Sequence, residues 1–252
     1  MHDTARREDS PFALTPYLIL GFVALLLALV ARAPASLLQK ALPRALPVQA
    51  TAWGGTLWSG QAELVQAGEP ALWRWQWQPG VLLRGRLGLQ VQGQGGLSLQ
   101  GRLEGGIGGW RAQDLRGDVP ARLLQPLLPP GWALPGDLRL DALQLARKGG
   151  AKGAWQSAAG QLRWGGGAMQ YNLGSQVQEA TLPPLLASLR LEGDRLVVSL
   201  AEEAGGGVLA EVRVASDGAI ETRLRERLLK YSGRTSGASP DAVVVTSVQA
   251  AR

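Results

Sequence analysis

Six carboxylates are the first candidates for chemistry in this chain: Asp114, Asp118, Asp137, Asp141, Glu192 and Asp194. Two carboxyl groups held a short distance apart can share acid and base work, but such a pair also needs a shaped pocket. All six fall at turns or strand ends, where a carboxylate caps the backbone or stays solvated. The rest of the chemical inventory is thin. The single histidine is His2 and there is no cysteine. Thiolate metal sites, most zinc sites and every histidine-based triad are therefore excluded from the chain beyond its N-terminal tail. No nucleophile elbow, phosphate loop or zinc helix motif occurs. Gly93-Gln94-Gly95 and similar strings lack the following helix of a dinucleotide cradle and read as turns. The expectation is a protein with no catalytic residue, no cofactor and no metal.

Tryptophan is the more informative residue type, with nine copies against three Tyr and two Phe. In residues 72–77, LWRWQW, Trp73, Trp75 and Trp77 alternate with Arg74 and Gln76. On a strand this puts all three indoles on one face. They read first as core beneath a curved sheet. The alternative makes Trp58, Trp73, Trp75 and Trp77 contacts for a partner or a lipid chain, since large exposed apolar patches mark interaction sites. The net charge is +6, but the arginines are scattered singly through alternating segments. Without a basic run they read as a solvated strand face, and no nucleic-acid partner is expected.

Two kinds of element must position these residues. Residues 12–31, FALTPYLILGFVALLLALVA, carry no charge over twenty positions, the length a helix needs to cross a bilayer. Arg6 and Arg7 on one flank and Arg32, Lys40 and Arg44 on the other leave the orientation unsupported by charge. A short tail before a long remainder suits an uncleaved signal anchor. Ala31-Arg32-Ala33 has the form of a processing site, but Pro34 would be a poor first mature residue. Residues 34–47 read as a short amphipathic helix.

Beyond residue 47 the period changes to two. Hairpin patterns recur around Gly93-Gln94-Gly95-Gly96, Glu192-Gly193-Asp194 and Asp217-Gly218, the last being a strong hairpin signal. Asp118 and Pro120 suggest a turn or two of helix over 118–125. Residues 242–248 can add a last strand. Ten to fourteen short strands are expected, bulged and curved because thirty-four glycines weaken strand packing. SGQAEL at 59–64 is echoed by AGQL at 159–162, suggesting two related β-units over about 48–133 and 134–231.

GTLWSGQA at 55–62, WRWQWQP at 73–79, PGDLRL at 135–140 and WQSAAGQLRW at 155–164, behind one apolar span, resemble the type II secretion system protein N family (general secretion pathway protein N). The resemblance runs from the apolar span to about Tyr231. It implies a bacterial inner-membrane protein, single-pass, with most of the chain in the periplasm. It implies contacts with other inner-membrane secretion components and with the outer-membrane secretin, and carries no catalytic residues. The organisation expected is a cytoplasmic tail (1–11), a transmembrane anchor in the lipid bilayer (12–33), a juxtamembrane helix (34–47), a mainly β, curved antiparallel periplasmic domain (48–231) and a flexible C-terminal tail (232–252). A more distant similarity to AsmA-like proteins implies the alternative, periplasmic lipid binding or transfer. A structural subunit is favoured, because few strands at ~4.8 Å each make too short a groove.

Overall fold

Alternating apolar and polar residues broken by short glycine turns dictate antiparallel hairpins, and the chain from residue 48 consists almost wholly of them. The computed structural model describes residues 15–38, 48–66, 69–123, 133–149, 153–173, 176–231, 233 and 235–249. Its strands are β1 (Val48–Gly55), β2 (Ser59–Gln66), β3 (Glu69–Trp77), β4 (Leu87–Gly95), β5 (Ser98–Gly106), β6 (Gly109–Pro120), β7 (Asp137–Lys148) and β8 (Trp155–Trp164). They continue with β9 (Gly167–Leu173), β10 (Gln176–Leu182), β11 (Leu185–Glu192), β12 (Arg195–Glu202), β13 (Val208–Val214), β14 (Ile220–Arg225) and β15 (Val243–Gln249). Thirteen of them form one antiparallel sheet in chain order, with β11 following β8. The β9–β10 hairpin stands apart as a two-stranded sheet. β1 and β15 are the two edges of the large sheet, so it does not close into a barrel.

The expected bulges line up across the middle of the sheet. Register shifts fall between Gln100 and Arg102 on β5, on either side of Leu115 on β6, and between Asp141 and Gln144 on β7. Asp114 and Ala142 take positive φ there, 50° and 48°. Gly160 on β8 sits against this line with φ 114°, and a Cβ would come within 2.6 Å of Leu143 Cα. Stacked bulges bend consecutive strands in the same place.

The two ends of the sheet differ. Helix α1 (Thr15–Ala31) leaves at the end where β1 turns into β2, because Pro34 bridges Thr56. The β3–β4, β5–β6, β7–β8, β11–β12 and β13–β14 connections share this proximal end, since antiparallel strands alternate in direction. The packed core lies at the opposite, distal end. There Leu138, Trp164, Leu185 and Leu209, at distal strand ends, meet Ala121, Met169 and Leu182. The β9–β10 hairpin and the short helix α2 (Glu226–Lys230) cover that end. Leu209 is fully buried, and the Trp164 indole donates to the Pro135 carbonyl at 2.7 Å. Distal burial thus holds the second half of the sheet, while the proximal end is left uncovered.

Several expectations are corrected. α1 has 17 residues, about 25 Å of helix, and no helix among the described residues is long and apolar enough to cross a membrane. The single transmembrane helix expected over 12–33 is therefore not supported by the described residues; positions 12–14 lie outside them. Only Ala35–Leu37, a single 3-10 turn, represents the expected juxtamembrane helix, and 39–47 lie outside the described residues. β6 runs to Pro120 in place of a helix at 118, because the Asp118 carboxylate pairs with Arg139 across the ladder at 2.9 Å and is not free to cap. A 3-10 turn covers 121–123, and 124–125 lie outside the described residues. The boundary expected at 133/134 is no break in the sheet, since β6 and β7 pair across it. Within 232–252, the last strand expected at 242–248 is present as β15, paired with β14.

Candidate functional site

The tight turn 56–59 builds the proximal end. Thr56 Oγ1 accepts from the Trp58 and Ser59 amides at 3.3 and 3.2 Å, a local bond that fixes the reversal. The turn then grips the end of α1. The Leu57 amide donates to the Ala33 carbonyl at 2.9 Å. The Trp58 indole donates to the Val30 carbonyl at 2.8 Å, in the last turn of a helix whose terminal carbonyls lack helical partners.

Tryptophans gather beneath this latch. Trp58 and Trp77 lie with ring centroids 5.0 Å apart, and Trp53 of β1 meets Trp75 edge-on at 6.1 Å. The Trp75 indole donates to the Leu57 carbonyl at 3.1 Å, and the Trp77 amide to the Trp58 carbonyl at 2.6 Å. Gly60, opposite Trp75, leaves room for the ring: a Cβ there would stand 2.5 Å from it. Trp73 lies further along the same face against Gly93. Of the four tryptophans singled out in the sequence, the structure brings together Trp58, Trp75 and Trp77 and sets Trp73 below them. All four are half-buried, as are Trp53 and Trp155. Glycines opposite the rings provide floor but no side chain to cover them, so these rings are not part of the distal core.

The carboxylates are dispersed. Asp114 on β6 and Asp137 and Asp141, four residues apart on β7, are exposed, Asp118 is paired with Arg139, and Asp194 Oδ2 accepts from Ser216 at 3.4 Å. Glu192 joins an arginine network that the sequence did not reveal: Arg190 lies 2.7 Å from it and 3.1 Å from Glu211, and Arg213 lies 2.7 Å from Glu211. Burial would push the Glu211 carboxyl up, but hydrogen bonds from Arg213 and Arg190 outweigh it and hold the group below its ordinary value. These residues sit on β11 and β13, on either side of β12, so the network spans three strands and braces the sheet. Among the described residues no group of three potential ligands is placed to hold a metal ion.

Two depressions open near the proximal end. A polar one of about 450 Å³ lies over β1–β4, lined by Gln61, Arg74, Gln76 and Gln90 with Trp75. An apolar one of about 680 Å³ lies on β4–β6 and includes Leu82, Leu87, Leu103, Ile107 and Trp110. The second was missed in the sequence; its one signal is Ile107, an isoleucine flanked by glycines over 105–109.

An open, single-layer antiparallel sheet with an apolar helix latched to one end defines a β-protein that offers surfaces over an enclosed site. Residues 47–237 match the family model for type II secretion system (T2SS), protein N, so this chain belongs to that family and is a type II secretion component. No curated protein and no solved structure matches it.

Proposed function

We propose that the chain is an inner-membrane-anchored structural subunit of the type II secretion system whose sheet stands in the periplasm and holds other secretion subunits. The observation that carries this reading is α1 and its attachment. Leu20, Phe22, Val23, Leu25, Leu26, Leu29 and Val30 are all exposed; at about 100° per residue they cover roughly two thirds of the helix circumference, and exposed Gly21, Ala24 and Ala28 occupy the rest. A helix apolar all round requires apolar surroundings, and the sheet touches only its C-terminal end. The described helix lies within an uncharged apolar run of twenty residues, 12–31, the number of residues a bilayer-crossing helix needs.

A family of secretion components interacts with other subunits, and the polar depression over β1–β4 and the broad exposed faces suit such contacts. Lipid transfer is less well supported, because the apolar depression is confined to three strands, roughly 15 Å of sheet at ~4.8 Å per strand. A reporter that works only after export, fused behind Tyr231, tests the topology. Activity there, with a cytoplasmic reporter silent, is expected; the reverse pattern refutes the orientation.

A further inference from the structure

The exposed apolar side chains of the sheet are not scattered. Outside α1, ten large hydrophobic residues among those described are exposed. Val243 and Val245 lie on the distal half of β15, opposite Arg225 and Leu224. The other eight lie toward the proximal end, from which α1 departs. Leu37 follows α1, Ile220 opens β14, and Val248 pairs with Glu221 beside it. Leu82, Leu87, Leu103, Ile107 and Trp110 form one contiguous patch around the apolar depression.

This patch has a definite shape. Pro79–Arg84 make a 3-10 helix that packs on β4, and the β5–β6 turn comes up against it, so that a Cβ on Gly106 would lie 3.0 Å from the Gly85 carbonyl. Ile107, at the tip of that turn, is fully exposed. Arg84 is exposed, and Arg86 and Arg111 line the rim; the acid beside them is Glu104, 3.6 Å from Arg86. Exposed apolar side chains ringed by a surplus of arginine are the composition of a surface that sits at a bilayer interface, with rings and aliphatic tips at headgroup depth and guanidinium groups on phosphates. The patch lies on β4–β6, three to five strands from β1, roughly 15–25 Å from the anchor at ~4.8 Å per strand.

We infer that the patch formed by Leu82, Leu87, Leu103, Ile107 and Trp110, with Arg84, Arg86 and Arg111, is a second membrane contact, docking on the anionic phospholipid surface from which α1 emerges. The inference rests on the anchored topology proposed above. The sheet is then held at two points, the latch at Trp58 and the patch around Ile107, and stands in one orientation on the membrane with its packed distal end facing away.

The absence of cysteine makes the test clean. Full-length Ile107→Cys carries an environment-sensitive fluorophore and is reconstituted in vesicles of phosphatidylethanolamine and phosphatidylglycerol; Ser98→Cys, exposed at the distal end, carries the same dye. After an alkaline carbonate wash and flotation, the expected result is a chain that stays with the vesicles. The dye at 107 should then emit further to the blue and lose most of its emission to a headgroup-labelled nitroxide lipid, while the dye at 98 is unaffected. In phosphatidylcholine vesicles the quenching at 107 should fall. A chain retained by the vesicles whose dye at 107 is as aqueous as that at 98 overturns the docking patch and leaves the anchor standing. Quenching at both positions overturns it too, since the sheet would then lie flat. Undiminished quenching in phosphatidylcholine overturns the assignment to anionic lipid. A chain washed off the vesicles removes the anchor, and this inference with it.

Discussion

The indole of Trp58 joins helix to sheet, and replacing it separates the contributions to that joint. Trp58→Phe removes the donor to Val30 but keeps a ring against Trp77. The Val30 carbonyl still accepts the Ala33 amide at 3.2 Å, so no acceptor is orphaned and the loss is that of one net hydrogen bond, about 1 kcal/mol or fivefold in a local opening equilibrium. Trp58→Ala also removes the ring pair with Trp77, centred 5.0 Å away. Such a pair contributes about 0.5–1.5 kcal/mol beyond its buried area, so the two together reach about 1.5–2.5 kcal/mol, roughly 13- to 70-fold. The assay is hydrogen exchange of the full chain in detergent, read at the Leu57 amide, which donates to Ala33 across the joint. Exchange should quicken in that order, while amides of β12 beside the distal core stay at the parent rate. An unchanged Leu57 amide in Trp58→Ala would refute the latch, and so would an equal rise throughout the sheet, which would mark a general loss of stability.

Gly60→Ala drives a Cβ to 2.5 Å from the Trp75 ring and 2.7 Å from the Gly54 carbonyl, so the β1–β3 end should loosen by about 1–3 kcal/mol, seen as red-shifted tryptophan emission; an unshifted spectrum contradicts the packing. Leu209→Ala removes a fully buried side chain from the distal core and should cost about 2–5 kcal/mol in denaturant unfolding, against little for Leu87→Ala, already half exposed. Glu226 is buried and accepts from Ser236 Oγ at 2.6 Å, Thr235 Oγ1 at 2.7 Å and the Ser236 amide at 2.7 Å; the Ser236 hydroxyl, more than any other contact, holds its carboxyl below the ordinary value. A depressed carboxylate stabilises fully above its unfolded pKa and loses that contribution as pH falls through the folded one. Protection of the Ser236 amide, relative to its intrinsic exchange rate, should therefore fall below the ordinary carboxylate range, and Glu226→Gln should abolish that pH dependence.

Much of the sheet was legible because each strand carries its own period and each turn its own signal. The Asp217-Gly218 and Gly193-Asp194 turns fall where β13–β14 and β11–β12 reverse, and Trp73, Trp75 and Trp77 share a face because alternation is local. What was not legible depended on distant partners. Asp118 has cap chemistry in sequence, but Arg139, twenty-one residues on, claims its carboxylate. β10, Gln176–Leu182, alternates weakly between polar and apolar and went unread. That its hairpin with β9 leaves the sheet is decided by Trp164 and Leu185 closing β8 onto β11. Trp53 joins Trp75 only because β1 pairs with β2 and β2 with β3. The Leu82–Trp110 patch was missed for the same reason, since nothing local says whether an apolar residue near a turn will be covered.

The central claim is that this sheet holds other secretion subunits, and photo-crosslinking in cells that carry the secretion genes tests it most directly. The crosslinker is placed in turn at exposed sites on the open sheet, with Gln76, Gln90 and Gln92 around the polar depression among them. Adducts with other secretion subunits from these sites are predicted. A full-length, abundant chain that yields no adduct with any secretion subunit from any of these sites would contradict it.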